Sequence, residues 1–194
     1  MQTTFVLIIL IIGLAGFAQG LTGFGFGLVA MPLLPMLMDF KDAVALTVMM
    51  NLIVCSMMFL NVRSSFSLRR GLGLVAGACL GVPIGVYVLA QFNQALLLRV
   101  LGGVMVFFSI NELILMRATS ARLSERFGFP CGLISGGLSG AFNMGGPPAI
   151  AFSYSQTWSK EQVVAVLQVV FGLSTLLRLI LLGNRCRSKR ERSD

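Results

Sequence analysis

Gly20-Leu-Thr-Gly23-Phe-Gly25-Phe-Gly27 and, 120 residues on, Gly140-Ala-Phe-Asn143-Met-Gly145-Gly146-Pro147-Pro148 each interrupt a long apolar run. Hydrocarbon tolerates irregular backbone only where protein or a water-filled cavity covers it, because each bare amide there costs several kcal/mol. A helix broken at membrane depth, and broken at matching places in two halves, is the best sequence pointer to a transporter's substrate site. Three readings of the glycines stand: close helix packing, a plain turn, or backbone amides offered to a ligand. Amides freed at a helix N-terminus carry partial positive charge and suit the oxygens of an anion. Gln19, Thr22, Ser139 and Asn143 beside the breaks favour that third reading.

The composition supports a lipid solvent. The chain has 194 residues, 56% hydrophobic and 11% charged, with a mean hydropathy of +0.89. A soluble domain carries roughly 25% charged residues, so there is too little polar side chain here to coat a globule. The expected fold is an all-α membrane protein, a helical bundle of about six spans of about 20 residues each. The net charge of +8 does not point to nucleic acid, because the charges fall in short loops between apolar runs. Cys55, Cys79, Cys131 and Cys186 are scattered singly and there is no His, so neither a metal site nor a disulfide framework is supported. No phosphate loop, HExxH or nucleophile elbow occurs, so the expectation is no enzyme and no cofactor. Met1-Gln-Thr-Thr4 lacks the basic start of a signal peptide, and the first apolar run reads as a retained span.

Punctuation divides the chain into a broken unit at 4–38, spans at 43–62, 71–90 and 95–115, a second broken unit at 127–155 and a span at 162–183. This predicts one transmembrane domain over 1–183 and a basic cytoplasmic tail over 184–194. Repeat one covers about 4–115, and an incomplete repeat two covers about 127–183. An offset of 120 aligns Gly20 with Gly140, Gly23 with Asn143 and Gly25 with Gly145; an offset of 119 sets Lys41-Asp42 on Lys160-Glu161. One set of alternate loops, together with the tail, holds eleven basic residues and the other only Lys41, Arg99 and Lys160. By the positive-inside bias, both termini face the cytoplasm of an inner membrane, and the loops at 39–42, 91–94 and 155–161 face outward. Each broken unit then makes an odd number of crossings.

Gly73, Gly77, Gly81 and Gly85 form a small-residue ridge on which another helix can pack closely, including one from a second copy of the chain. Asn51 and Gln168 are mid-span amides expected to bond between helices, while Asn111 and Glu112 read as interfacial. Arg178 is the one cation well inside a span, with two readings: it attracts an anion, or it snorkels to the membrane edge. Ser174 and Thr175, one turn away, tip the choice toward the anion. The candidate substrate-binding residues are therefore Gln19, Gly20, Thr22, Gly23, Gly25, Ser139, Gly140, Asn143, Gly145, Gly146 and Arg178.

With these residues in view, the chain resembles the TauE/SafE family of sulfite and organosulfonate exporters. The resemblance rests on Gly16-Phe-Ala-Gln-Gly20-Leu-Thr-Gly23-Phe-Gly25-Phe-Gly27-Leu-Val-Ala-Met-Pro32, Gly77-Ala-Cys-Leu-Gly81-Val-Pro83-Ile-Gly85 and Gly136-Gly-Leu-Ser-Gly140-Ala-Phe-Asn-Met-Gly145-Gly146-Pro147-Pro148. It implies two repeated halves, multi-pass inner-membrane placement and transport of a small sulfur oxyanion. Asn143 stands where the family often has glycine, which should stiffen the second break. Family members usually continue past the position of Gly183 with further spans. A truncated or non-transporting membrane protein, acting as an interaction subunit if at all, is therefore the alternative expectation.

Overall fold

The computed structural model describes residues 2–63, 68–115 and 124–190. The loop residues 64–67, most of the polar connection from Arg117 to Arg126, and the tail residues 191–194 lie outside that set. Every regular element among the described residues is helical. Eight α-helices follow in order: α1 (Gln2–Thr22), α2 (Phe26–Leu33), α3 (Phe40–Val62), α4 (Leu68–Gln91), α5 (Gln94–Leu115), α6 (Gly128–Phe142), α7 (Gly146–Ser155) and α8 (Lys160–Arg190). Four are long and apolar enough to cross a membrane, over Thr4–Thr22, Phe40–Val62, Gly71–Gln91 and Lys160–Leu181. The fold is an all-α membrane protein, as composition required. α8 runs on to Arg190, so part of the expected tail continues the last span as helix.

The two glycine breaks turn the chain back on itself. In the second unit, a Cβ on Gly128 at the start of α6 would lie 2.9 Å from the ring of Phe152 near the end of α7. At the other end, Gly145 sits against Ser135 and Ser139. α6 and α7 are therefore an antiparallel hairpin. α7 has ten residues, about 15 Å of helix, which reaches halfway through a hydrocarbon core of about 30 Å. The first unit behaves alike. Ile8, Ile11, Ile12 and Ala15 of α1 gather with Phe26, Ala30 and Leu34 of the returning segment and Ala43 at the start of α3.

The hairpins enter the bundle from opposite ends. α3 and α8 are antiparallel, since Asn51 Nδ2 donates to Thr175 Oγ1 at 3.1 Å while Cys55 lies beside Gly172. Their starts, where the hairpins close, thus lie at opposite ends. This corrects the expected topology: each broken unit returns to the end it entered by, and the 39–42 and 155–161 loops do not share a face. Among the described residues, Arg63, Arg69, Arg70, Arg126 and Lys160 then lie at one end, against Lys41, Arg99, Arg185, Arg187, Lys189 and Arg190 at the other. The charge contrast that oriented the sequence reading disappears once the tail changes ends.

α4 and α6 run parallel with their backbones almost touching. A Cβ on Gly77, Gly81 or Gly85 would lie 2.7 Å from the amide nitrogen of Leu133, Gly137 or Ala141 respectively. The partner ridge is Gly128, Gly132, Gly136 and Gly140, at the same four-residue spacing; Gly132, Gly136 and Gly140 lie against Leu74, Ala78 and Val82 of α4. Only residues without a Cβ permit this approach. The expected second copy of the chain has no access to the ridge, because α6 occupies it.

Candidate functional site where the two breaks meet

At the first break, Gly23 (φ 83°) and Gly25 (φ 109°) adopt the left-handed region that glycine enters without steric cost. The Thr22 hydroxyl donates to the Ala18 carbonyl at 2.8 Å and accepts the Phe24 amide at 3.3 Å, covering backbone that the break exposes. The Val29 amide bonds back to Gly25 at 3.1 Å. The preceding amides of Phe26, Gly27 and Leu28 are the first of α2 and have no acceptor within the helix.

At the second break Asn143 takes the left-handed position, φ 58°. Its amide donates to the Ser139 carbonyl at 2.9 Å, and the next amide reaches back to Leu138 at 3.4 Å, a C-terminal cap in which asparagine can replace glycine. The expected stiffening therefore has a simple form: Asn143 occupies the glycine conformation and adds a carboxamide. α7 opens with Gly146-Pro147-Pro148. The prolines preset its first turn but remove two amide donors, so α2 is the richer source of free N–H groups.

The breaks touch. A Cβ on Gly27 would overlap the Asn143 carbonyl oxygen, and Gly146 faces the Phe24 ring. Between them is a cavity of about 20 Å³, lined by the polar residues Gln19, Asn51, Ser139 and Asn143, the apolar Phe26, Leu28, Met144 and Phe171, and the glycines Gly25, Gly27, Gly145 and Gly146. That volume holds one water-sized guest. Both polar atoms of the Asn143 side chain are buried and without a partner. The other amides are engaged: Gln19 Nε2 donates to Cys55 Sγ at 3.3 Å, and Cys55 in turn to Asn51 Oδ1 at 3.6 Å.

Six of the eleven sequence candidates line this cavity: Gln19, Gly25, Ser139, Asn143, Gly145 and Gly146. Five do not. Gly20 is exposed with open space beside it, Thr22 is exposed and spent on the local turn, and Gly140 is packed under α4. Gly23 presents its carbonyl to Gln168 Nε2 at 2.7 Å. Arg178 is 0% exposed, which excludes snorkelling, and its two terminal nitrogens donate to the carbonyls of Ser139 at 2.9 Å and Ala141 at 3.1 Å. It caps the negative end of α6, where a cation is favoured, and stands one carbonyl behind the cavity wall instead of in it. Phe26, Gly27, Leu28, Met144 and Phe171 also line the cavity without having been sequence candidates, as does Asn51, which was read mainly as an interhelical bond. The spacing of Gly128, Gly132, Gly136 and Gly140 was the available signal that Gly140 packs.

No curated protein and no solved structure matches the chain. The family model described as "Sulfite exporter TauE/SafE" matches residues 8–186, from the first turns of α1 to the last turns of α8, including both breaks and the cavity between them. The chain belongs to the TauE/SafE sulfite exporter family, whose members are membrane transporters of sulfur anions and not enzymes.

Proposed function

We propose that the chain carries sulfite or a sulfonate-like anion across the inner membrane, binding it between the two breaks. One observation carries the reading: Asn143, whose carboxamide is buried and unpartnered, lines a cavity that the first residues of α2 line as well. A buried polar side chain without a partner is costly, by about 1–3 kcal/mol, and such groups persist where a ligand completes them. Gln19, Asn51 and Ser139 add uncharged polar side chains to the same lining. The two hairpin-plus-span units, α1–α3 and α6–α8, are an inverted pair, with α4 and α5 completing repeat one. α1 and α6 end 120 residues apart, and α2 and α7, like α3 and α8, begin 120 apart. Rocking one hairpin against the other would open the cavity to each face in turn.

Proteoliposome flux of labelled sulfite tests this, with Asn143→Gly and Asn143→Ala as the informative pair. Glycine keeps the left-handed conformation and removes only the carboxamide. The expected result is a folded protein with sulfite flux at least about tenfold lower, the equivalent of one buried hydrogen bond of about 1.4 kcal/mol. Alanine adds roughly 1–2 kcal/mol of backbone strain and should lower thermal stability as well. Wild-type flux in Asn143→Gly would remove the carboxamide from the site.

A further inference from the structure

The structure assigns the cavity to singly charged oxyanions, such as hydrogensulfite or an alkanesulfonate, in preference to doubly charged ones of the same shape; this rests on the transport reading above. The polar side chains at the wall, Gln19, Asn51, Ser139 and Asn143, are all uncharged. Each break brings together one helix C-terminus and one N-terminus. Their dipole charges, about −0.5 and +0.5, sum to zero within each break, so the first amides of α2 can orient an anion without adding a net charge. What remains is the single charge of Arg178, one carbonyl from the cavity through its 2.9 Å bond to Ser139. Among the described side chains, the acidic ones, Asp39, Asp42, Glu125 and Glu161, are exposed near the helix ends and do not neutralise it.

Charge balance then decides the substrate. A monoanion brings the buried region to neutrality. A dianion leaves one negative charge uncompensated in a medium of low dielectric constant, where both its interaction energy and its lost hydration weigh most. The side chain of Asn143 fits the same species. It offers one unmet donor nitrogen and one unmet acceptor oxygen, matching an ion that carries both anionic oxygen and an acidic proton, as hydrogensulfite does.

The test uses the full chain in proteoliposomes, with labelled sulfite as the transported ion and methanesulfonate and sulfate as competitors. The two competitors are tetrahedral anions of similar size that differ by one charge. Methanesulfonate is expected to inhibit at concentrations at least about tenfold below those of sulfate, the ratio that corresponds to about 1.4 kcal/mol. A second arm holds the heavy atoms constant. Raising the pH through neutrality converts hydrogensulfite to sulfite dianion, so apparent affinity for total sulfite should fall while inhibition by methanesulfonate stays level. Equal or stronger inhibition by sulfate, or a sulfite affinity that is flat or rises with pH, would overturn the assignment and leave sulfite transport standing. Liposomes that take up no labelled sulfite at any pH would sink the transport reading itself, and this assignment with it.

Discussion

Arg178→Met should abolish sulfite flux while leaving the chain inserted in the membrane. Methionine removes the two donors that hold the Ser139 and Ala141 carbonyls, leaving the Ser139 carbonyl with the Asn143 amide alone and the Ala141 carbonyl without its arginine donor. Each such loss costs about 1–3 kcal/mol. Against this, a methionine inserts more readily than arginine, which costs roughly 2.5–3.5 kcal/mol at the centre of a span on insertion scales. The two effects oppose each other in overall stability, so thermal unfolding should shift little. The site is not protected in this way. Ser139 lines the cavity and Asn143 caps the same helix end, so a frayed α6 terminus displaces both. Arg178→Lys keeps the charge but cannot span two carbonyls with a planar fork, and its flux should fall between those of wild type and the methionine variant. Flux and unfolding midpoint, measured on matched amounts of the three proteins, check that order. Full flux in Arg178→Met contradicts it.

The largest effect on folding belongs to the glycine ridge. Gly81→Leu places a side chain where even a Cβ would stand 2.7 Å from the Gly137 nitrogen and closer still to the Leu133 carbonyl. Overpacking a core typically costs about 1–3 kcal/mol. Here the obstacle is helix backbone, which cannot rotate aside as a side chain can, so α4 and α6 must separate along their length. The expected outcome is loss of the monodisperse detergent-solubilised species on size exclusion. Gly102→Ala and Gly103→Ala on α5, where nothing lies within 4 Å of the added carbon, are the controls. They should be neutral or stabilising by up to about 1 kcal/mol. Equal behaviour of Gly81→Leu and the α5 variants would mean that α4 and α6 are not packed backbone to backbone.

The breaks were legible because glycines clustered in apolar sequence have few other uses, and the helix ends fell within a few residues of them. The direction of the chain after each break was not legible. A glycine stretch permits a bend of any size, and only the contact of Gly128 with Phe152 shows a full reversal. Charge counting then erred because it took the loop after each break to lie across the membrane from the loop before it. Gly140 belongs to both a break motif and a four-residue ridge, and in the structure it packs against Val82 and Gly85 of α4. Arg178 could not be assigned from sequence, since its partners Ser139 and Ala141 lie 39 and 37 residues away. Gln19, Ser139 and Asn143 were marked because polar side chains next to freed backbone in hydrocarbon have a reason to be there, and the structure places all three in the lining of one cavity.

The two hairpins enter from opposite ends of the bundle and meet where Gly27 touches Asn143. A membrane-impermeant thiol label reads this arrangement directly, after the four native cysteines Cys55, Cys79, Cys131 and Cys186 are replaced by alanine or serine. Asp39 and Ser159 are exposed at the closing ends of the first and second hairpins. The account predicts that Asp39→Cys and Ser159→Cys label from opposite sides of the membrane. Labelling of both from the same side would contradict it.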